Sequence, residues 1–433
     1  MRQERIDMKI LFTLLMLGQI IMAATVQKIE VNGLSIPVIF EEDKRLPLVT
    51  MQFIFQNSGS ITDTTKAGLA KFSAKIMNEG TSKLGSSAFA EALESKAIHI
   101  SASTGKETFV MEVGSLKDNF DDAVDYFSSL LKDPNLSQEA VDKVKTTTVG
   151  ALSSKLSNYD YVAGNELKAL LYKGTPLENP SAGTVDSVKS INLSDVKKFL
   201  KSHLVSSRLI VVVGGDADID ELKTKISKIV GDMPKGRALK LKSYEPSHES
   251  KENIIKKETQ QAYVYFGSPY NMKVGDEDYY KARVATFILG AGGFGSRLME
   301  EIRVKRGLAY SAYANVSVTK SSSAMTGHLQ TKLESLDEAK KTVQEVVASF
   351  VKKGVTKAEL DQTKKFLLGS EPLRVETMNQ RLNRTFQEYY KGYELGHSAK
   401  ELEKIKTLKL KDLNEFIKKH TEILQMSFAI VTK

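Results

Sequence analysis

Two homologous domains of the α+β class, each a mostly antiparallel β-sheet with helices packed on one side, follow from three features of the sequence. The chain repeats itself across its midpoint. Each half opens on segments that alternate apolar and polar residues, such as LVTMQFIFQ (48–56) and QAYVYFGS (261–268), and continues into amphipathic helical patterns. Each half then closes on an apolar strand, RLIVVVGG (208–215) and MSFAIVTK (426–433). Hairpin strands and helices within one half bury their apolar faces against each other as a layered sandwich.

The first element is a leader. Basic residues precede an apolar run from Ile10 to Met22, and Ala23 and Ala24 follow. This is the layout of a signal peptide over 1–24, too short for a comfortable membrane span, with Met8 as an alternative start. It predicts an exported protein, periplasmic or secreted, cleaved near Ala23. Strand patterns begin directly afterwards. The stretch AGLAKFSAKIMNEGT (67–81) has the shape of a helix and IHISAST (98–104) that of a strand; Phe120, Val124, Phe127 and Leu131 then mark a helix that LSQEAVDKVK (136–145) follows.

The second half restates this order. LSDVKKFLKSH, Leu193 to His203, returns as LKDLNEFIKKH, Leu410 to His420, with Leu, Asp, Phe, Lys and His recurring at an offset of 217 residues. YKG at Tyr172 returns at Tyr390, and Ala339, Val343, Val346 and Phe350 answer the first-half helix before VTKAELDQTK (355–364) answers the second. A repeat on this scale is a duplication of a whole domain. SLDE from Ser335 and TKAE from Thr356 have the form of capping boxes. The polar, basic segment from Met233 to Asn253 reads as a linker, which gives domains over 25–232 and 254–433.

Composition narrows the chemistry. At 433 residues, with 41% hydrophobic and 27% charged residues, the chain has the make-up of a folded protein of more than one domain. The net charge of +9 is spread among acids along helices, with no compact basic run interleaved with aromatics, so it reads as a solvated basic surface rather than a nucleic-acid site; an attraction to acidic peptides stays open. There is no cysteine, which excludes disulfides, thiolate zinc sites and cysteine nucleophiles. The glycine-rich GAGGFGS from Gly290 lacks a following Lys-Ser/Thr and a βαβ setting, so it is not a phosphate cradle.

Two further stretches, LGAGGFGSRLMEEIRVKRGLAYSAYA (289–314) and LLGSEPLRVET (367–377), together with AGLAKFSAKIMNEGT and the duplication, resemble the M16 family of zinc peptidases, which includes processing proteases and pitrilysin. The likeness spans nearly all of the chain after the leader. It implies two α+β domains per chain, with paired chains enclosing a chamber. Active members carry HxxEH on a helix of the first domain: two histidines on one face bind zinc, the Glu activates the metal-bound water, and a distal Glu completes the site. Laid on this chain, those positions are Lys71, Ala74 and Lys75, and the distal Glu falls near Gly150 and Ala151, in a stretch with no carboxylate between Asp142 and Asp160.

The histidines agree. His99, His203, His248, His328, His397 and His420 include no pair within one helical turn, so no local two-histidine clamp forms, and a lysine ammonium has no lone pair to offer a metal. The complementary half of the family's machinery survives. In two-part relatives an Arg and a Tyr seven residues apart bind the substrate backbone and help stabilise the tetrahedral intermediate, and RVKRGLAY places Arg303 and Tyr310 at that spacing. An Arg fork suits a peptide carbonyl and a Tyr hydroxyl suits a developing oxyanion. By the same resemblance Ile100, Ser101, Ala102 and Ser103 lie on an edge strand that captures extended peptide, and Gly292 and Gly293 in a turn near the substrate; an ordinary structural strand is the other reading of IHISAST.

The expectation is therefore a zinc-free, Arg/Tyr-bearing subunit of an exported M16-type peptidase, inactive alone, holding no metal of its own, and cleaving peptides or small unfolded proteins with an HxxEH-bearing partner that holds the zinc. The alternative is a catalytically inactive homodimer that binds peptides or scaffolds.

Overall fold

The computed structural model describes residues 24–433, and the signal segment expected over 1–24 lies outside them but for Ala24. Among the described residues the first sheet comprises β1 (Thr25–Val31), β2 (Leu34–Glu42), β3 (Leu48–Gln56), β4 (His99–Thr104), β5 (Thr108–Leu116) and β6 (Leu209–Gly215), in the order β1-β2-β6-β3-β5-β4. The second comprises β7 (Glu252–Lys256), β8 (Gln261–Pro269), β9 (Ala309–Val318), β10 (Ser323–Lys332) and β11 (Ser427–Thr432), in the order β7-β11-β8-β10-β9. Advanced by one half, β2-β6-β3-β5-β4 becomes β7-β11-β8-β10-β9, so both sheets share one topology and β1 is an addition. The pairs β2–β6 and β7–β11 are parallel and the remaining pairs antiparallel. The expected α+β duplication is the fold.

One face of each sheet carries the helices of its own half. Leu69–Met77, Phe120–Lys132, Gln138–Lys155 and Leu193–His203 pack Phe72, Phe127, Val141 and Phe199 against Met51, Phe53 and Val211. The equivalent layer in the second half, Leu336–Lys353, Lys357–Gly369 and Leu410–Lys419, packs Val343, Leu360 and Phe416 against Val264, Phe266 and Phe428. TKAE forms the capping box expected of it: Thr356 accepts from the Glu359 N–H while Glu359 accepts from the Thr356 N–H. SLDE does not. A 3-10 turn at Leu333–Ser335 leads into that helix and holds Ser335 at ψ 0°, away from the extended conformation in which an N-cap hydroxyl reaches the first turn.

The sequence pattern predicts helices on one side of each sheet only, but the opposite faces are covered as well, by an exchange between the halves, because each sheet carries apolar side chains on both faces. Tyr159–Tyr172, from the first half, lies on the second sheet, with Leu167 and Leu171 against Ala324, Ala429 and Tyr265. Met378–Lys391, from the second half, lies on the first sheet, with Leu382, Phe386 and Tyr390 against Ile39, Ile54, Ile210 and Val212. The helices approach closely because glycine stands beneath each. A Cβ on Gly214 of β6 would fall 2.7 Å from Leu382, and one on Gly267 of β8 would fall 3.0 Å from Leu171. An ion pair fixes the second crossing: the Arg381 guanidinium donates to Glu41 Oε1 through Nε at 2.8 Å and Nη2 at 2.5 Å, where Glu41 is 2% exposed. Burial on both faces suits the unbroken apolar runs of β6, Leu209–Val213, and of β11, Phe428–Val431. No helix or strand lies between Asp232 and Lys251, and β7 begins at Glu252, just ahead of the linker's expected end at Asn253.

Candidate functional site

The helix Leu69–Met77 turns Ala70, Phe72, Ala74, Ile76 and Met77 into the core and leaves Lys71 and Lys75 half-buried on one side, one turn apart. Its start is held by the buried Asp63, whose carboxylate accepts from the Gly68 and Ala70 N–H groups at 3.0 and 2.9 Å. Burial pushes the Asp63 carboxyl up to about 7 against those hydrogen bonds. Lys75 Nζ donates to Thr148 Oγ1 at 2.8 Å, on the same helix and within one turn of Gly150 and Ala151. Burial, and after it the charges of Lys71 and Lys155, lower the Lys75 amine from its ordinary value.

A zinc ion does not fit this wall. Where the two histidine ligands would stand there are amines, where the water-activating Glu would stand there is the buried methyl of Ala74, and Lys75 already spans the gap to the helix on which a distal carboxylate would lie. Among the described residues no three His, Asp or Glu side chains converge in a metal-holding group. Four of the histidines, His203, His328, His397 and His420, pack against aromatic rings. The repeated pair meets the same phenylalanine position in both halves: His203 stacks on Phe199 at 4.1 Å, whereas His420 is tilted against Phe416 at 4.4 Å and stacks instead on Tyr270 at 4.7 Å; His328 stacks on Tyr265 at 5.2 Å.

Arg303 and Tyr310 come together at the far edge of the second sheet. The Tyr279–Thr286 helix widens into a π turn at Phe287–Ala291, the chain reverses through Gly292 and Gly293, and Arg297–Met299 runs into a second π turn, Glu300–Lys305, that carries Arg303. Gly290 is needed because a Cβ there would sit 2.6 Å from the backbone of Ala314 in β9, and Gly293 adopts φ +62°. Arg297 anchors this reversal through a two-pronged bond to Glu359, at 2.6 and 2.9 Å. The Arg303 guanidinium then lies between two rings, 4.1 Å from Tyr310 and 4.6 Å from Phe294. Tyr310 is 80% exposed and Phe294 69% exposed. Among the described residues, Arg303 has no ion pair and the Tyr310 hydroxyl no hydrogen bond. Nothing in the sequence marked Phe294 as the third member of this group.

Ile100 to Ser103 lie on β4, which among the described residues pairs only with β5, so β4 is an edge of its sheet as β9 is of the second. The edge is not wholly open. The side-chain amide of Asn78 accepts from the Ala102 N–H at 2.7 Å and donates to the Ala102 carbonyl at 3.0 Å, occupying both outward backbone groups of that residue. Asn78, at the end of the Lys71 helix, escaped the sequence reading because its partner lies 24 residues away. No hydrogen bond, ion pair or ring contact among the described residues joins Arg303 or Tyr310 to Lys71, Ala74 or Lys75; the two groups stand apart within one chain.

Comparison with known proteins places this geometry. Residues 38–185 match the family model described as insulinase (peptidase family M16), and residues 190–367 the one described as the peptidase M16 inactive domain. The chain is 42% identical over 93% of its length, and 93% of the relative's, to a Helicobacter pylori protein named non-peptidase homolog YmxG. Its fold is similar to a crystal structure of a peptidase M16 inactive domain from Pseudomonas fluorescens, with a TM-score of 0.86 at 24% identity, covering 94% of this chain and 97% of that one. It is also similar to the periplasmic protease PqqL of Escherichia coli, with a TM-score of 0.76 at 13% identity, covering 94% of this chain but 46% of that one. With the duplicated sheets and the shared topology, these matches make the chain a member of the M16 peptidase family.

Proposed function

We propose that this chain is a catalytically inactive M16 homologue that completes the site of an HxxEH-bearing, zinc-holding partner in an exported heteromeric peptidase. The observation that carries the reading is the cluster of Arg303, Tyr310 and Phe294: a guanidinium and a phenol displayed at a sheet edge, with no side-chain hydrogen bond or ion pair to their polar atoms among the described residues. Ring stacking fixes the guanidinium plane, so its donors are oriented before a peptide arrives. In a joint site Arg303 would hold a substrate carbonyl and the Tyr310 hydroxyl would donate to the oxygen that gains charge. The non-peptidase name of the 42% identical relative supports inactivity of this chain alone. The coverage of PqqL leaves room in that longer chain for a second unit of this size, as a paired arrangement requires.

The test is to purify the chain from its native cell envelope, identify any equimolar companion, and assay peptide cleavage by the reconstituted pair. Arg303→Ala and Tyr310→Phe are each expected to lower kcat by about a hundredfold or more without dissociating the pair, the scale seen when one transition-state donor is removed. A partner that cleaves fully by itself, or a pair indifferent to both substitutions, overturns the reading; recovery of the chain only with copies of itself would favour the inactive homodimer.

A further inference from the structure

Two adjoining cavities of about 350 and 330 Å³ open where the halves meet. Lys168 and Tyr172, on the exchanged helix, belong to both walls; Lys106 lines the first, Lys71 and Lys155 the second, and Lys75 sits beside Lys71. The polar partners of these amines are neutral. Lys75 donates to Thr148 at 2.8 Å, Lys106 to Ser322 at 3.2 Å and Lys168 to Asn165 at 3.4 Å, while Lys155 lies 5.4 Å from the centre of the Tyr161 ring. None of the five forms an ion pair among the described residues.

Two acids stand in the walls, Asp63 in the first cavity and Asp160 in the second, and Glu107 acts on Lys106 from nearby, but the carboxylate oxygens of all three are taken up by other donors. Asp63 caps the Lys71 helix, Asp160 accepts from Tyr265 at 3.3 Å and Gln330 at 2.6 Å, and Glu107 accepts from the Ser321 N–H and the Tyr390 hydroxyl, both at 2.8 Å. The amines also press on one another. Burial, then the charge of Lys106, lowers the Lys168 amine, as burial and then Lys71 and Lys155 lower Lys75. A concave wall in which amines outnumber carboxylates concentrates positive potential and draws counter-ions of the opposite sign. The end of β4 leads there, since Thr104 and Gly105 line the first cavity. Backbone groups on an edge strand face outward at alternate residues, so with Ala102 held by Asn78 the open positions are Ile100 and Thr104, the latter at the cavity mouth.

We propose that this lysine-lined cleft, with Lys71 in its wall and Lys75 beside it, is a carboxylate-binding site that selects peptides bearing acidic side chains or a free C-terminal carboxylate. Ammonium groups at Lys71 and Lys75, together with Lys106, Lys155 and Lys168, neutralise carboxylate on an extended chain. The site belongs to this chain alone and does not depend on the partner-dependent role of Arg303.

The test uses the purified chain without any partner and short fluorescein-labelled peptides of one parent sequence in three forms: acidic and C-terminally amidated, neutral with a free C-terminus, and neutral and amidated. At least one carboxylate-bearing form is expected to bind about tenfold more tightly than the neutral amidated form, as read by fluorescence anisotropy. Preference for the first form identifies side-chain carboxylates, and preference for the second the terminal one. The double variant Lys106→Gln/Lys168→Gln is expected to lose the preference and Lys106→Arg/Lys168→Arg to keep it, with Lys155→Gln, at an exposed position, as a separate reduction should the double Gln variant not fold. Equal binding of all three peptides, binding of none, or a preference that survives every loss of charge overturns the proposal.

Discussion

Asn78 does with one side chain what a neighbouring strand would do for β4. Its amide satisfies the N–H and C=O of Ala102 in the geometry of a sheet ladder, so the edge is closed at its middle residue. Edge strands invite pairing with other chains, and closing one with a side chain limits this. Asn78→Ala is expected to cost about 1 kcal/mol, the net worth of such bonds, and to speed hydrogen exchange at Ala102 while leaving the core amides of β5 unchanged; exchange followed by mass spectrometry checks it. At this scale, what was legible in the sequence depended on distance along the chain. Lys71, Ala74 and Lys75 fall within one helical turn, so the sequence alone sufficed to set them against the HxxEH pattern of the family it resembles. Arg303 and Tyr310 were visible only as a spacing. Asn78, Lys106 and Lys168 gave no signal, because each acquires its meaning from a residue brought to it by folding.

Among elements, the capping box at Thr356 serves two ends. Glu359 bonds the first turn of its own helix and also grips Arg297, which starts the segment carrying Arg303. Burial opposes the Glu359 charge, but hydrogen bonds from Arg297 and Thr356 outweigh it and hold the carboxyl down to about 2, from 4.5. Its folded value is therefore depressed, so its contribution is present above about pH 4.5 and lost as pH falls toward 2. Glu359→Gln is expected to flatten the acid limb of the stability curve over that interval and to loosen the Phe294–Arg303–Tyr310 stack, which urea unfolding across pH and tyrosine fluorescence would register. TKAE was legible because the box closes within four residues. SLDE has the same form but fails because the chain enters that helix through a 3-10 turn, and neither π turn has a sequence pattern of its own.

Across the molecule, the crossed helices decide how stability is distributed. Leu382, Phe386 and Tyr390 are each buried on the first sheet, at roughly 1.5 to 3 kcal/mol per large apolar side chain, and Arg381 neutralises Glu41 beneath them. Arg381→Met is expected to destabilise the chain by about 3 kcal/mol or more, because it strands a buried carboxylate whose other oxygen already lacks a partner. Gly214→Val, which forces Leu382 away, is expected to cost about 1 to 3 kcal/mol. Both are read from denaturant midpoints. The sequence carried one trace of this arrangement: RLIVVVGG and MSFAIVTK are apolar without alternation, the mark of strands covered on two faces. The helices that supply the second cover could not be assigned, since Tyr159–Tyr172 and Met378–Lys391 look like ordinary members of their own halves.

The crossing also says what kind of object half of this protein would be. An isolated half has one helix with nowhere of its own to pack and one bare sheet face of matching shape. Two copies answer each other, each inserting its arm over the other's sheet about a two-fold axis, which is the construction of a domain-swapped dimer. Seen this way, the segment from Asp232 to Lys251 is a tether added to a closed pair. A nick within it should leave the two fragments bound through native size-exclusion chromatography, and residues 25–232 made alone should elute as a dimer.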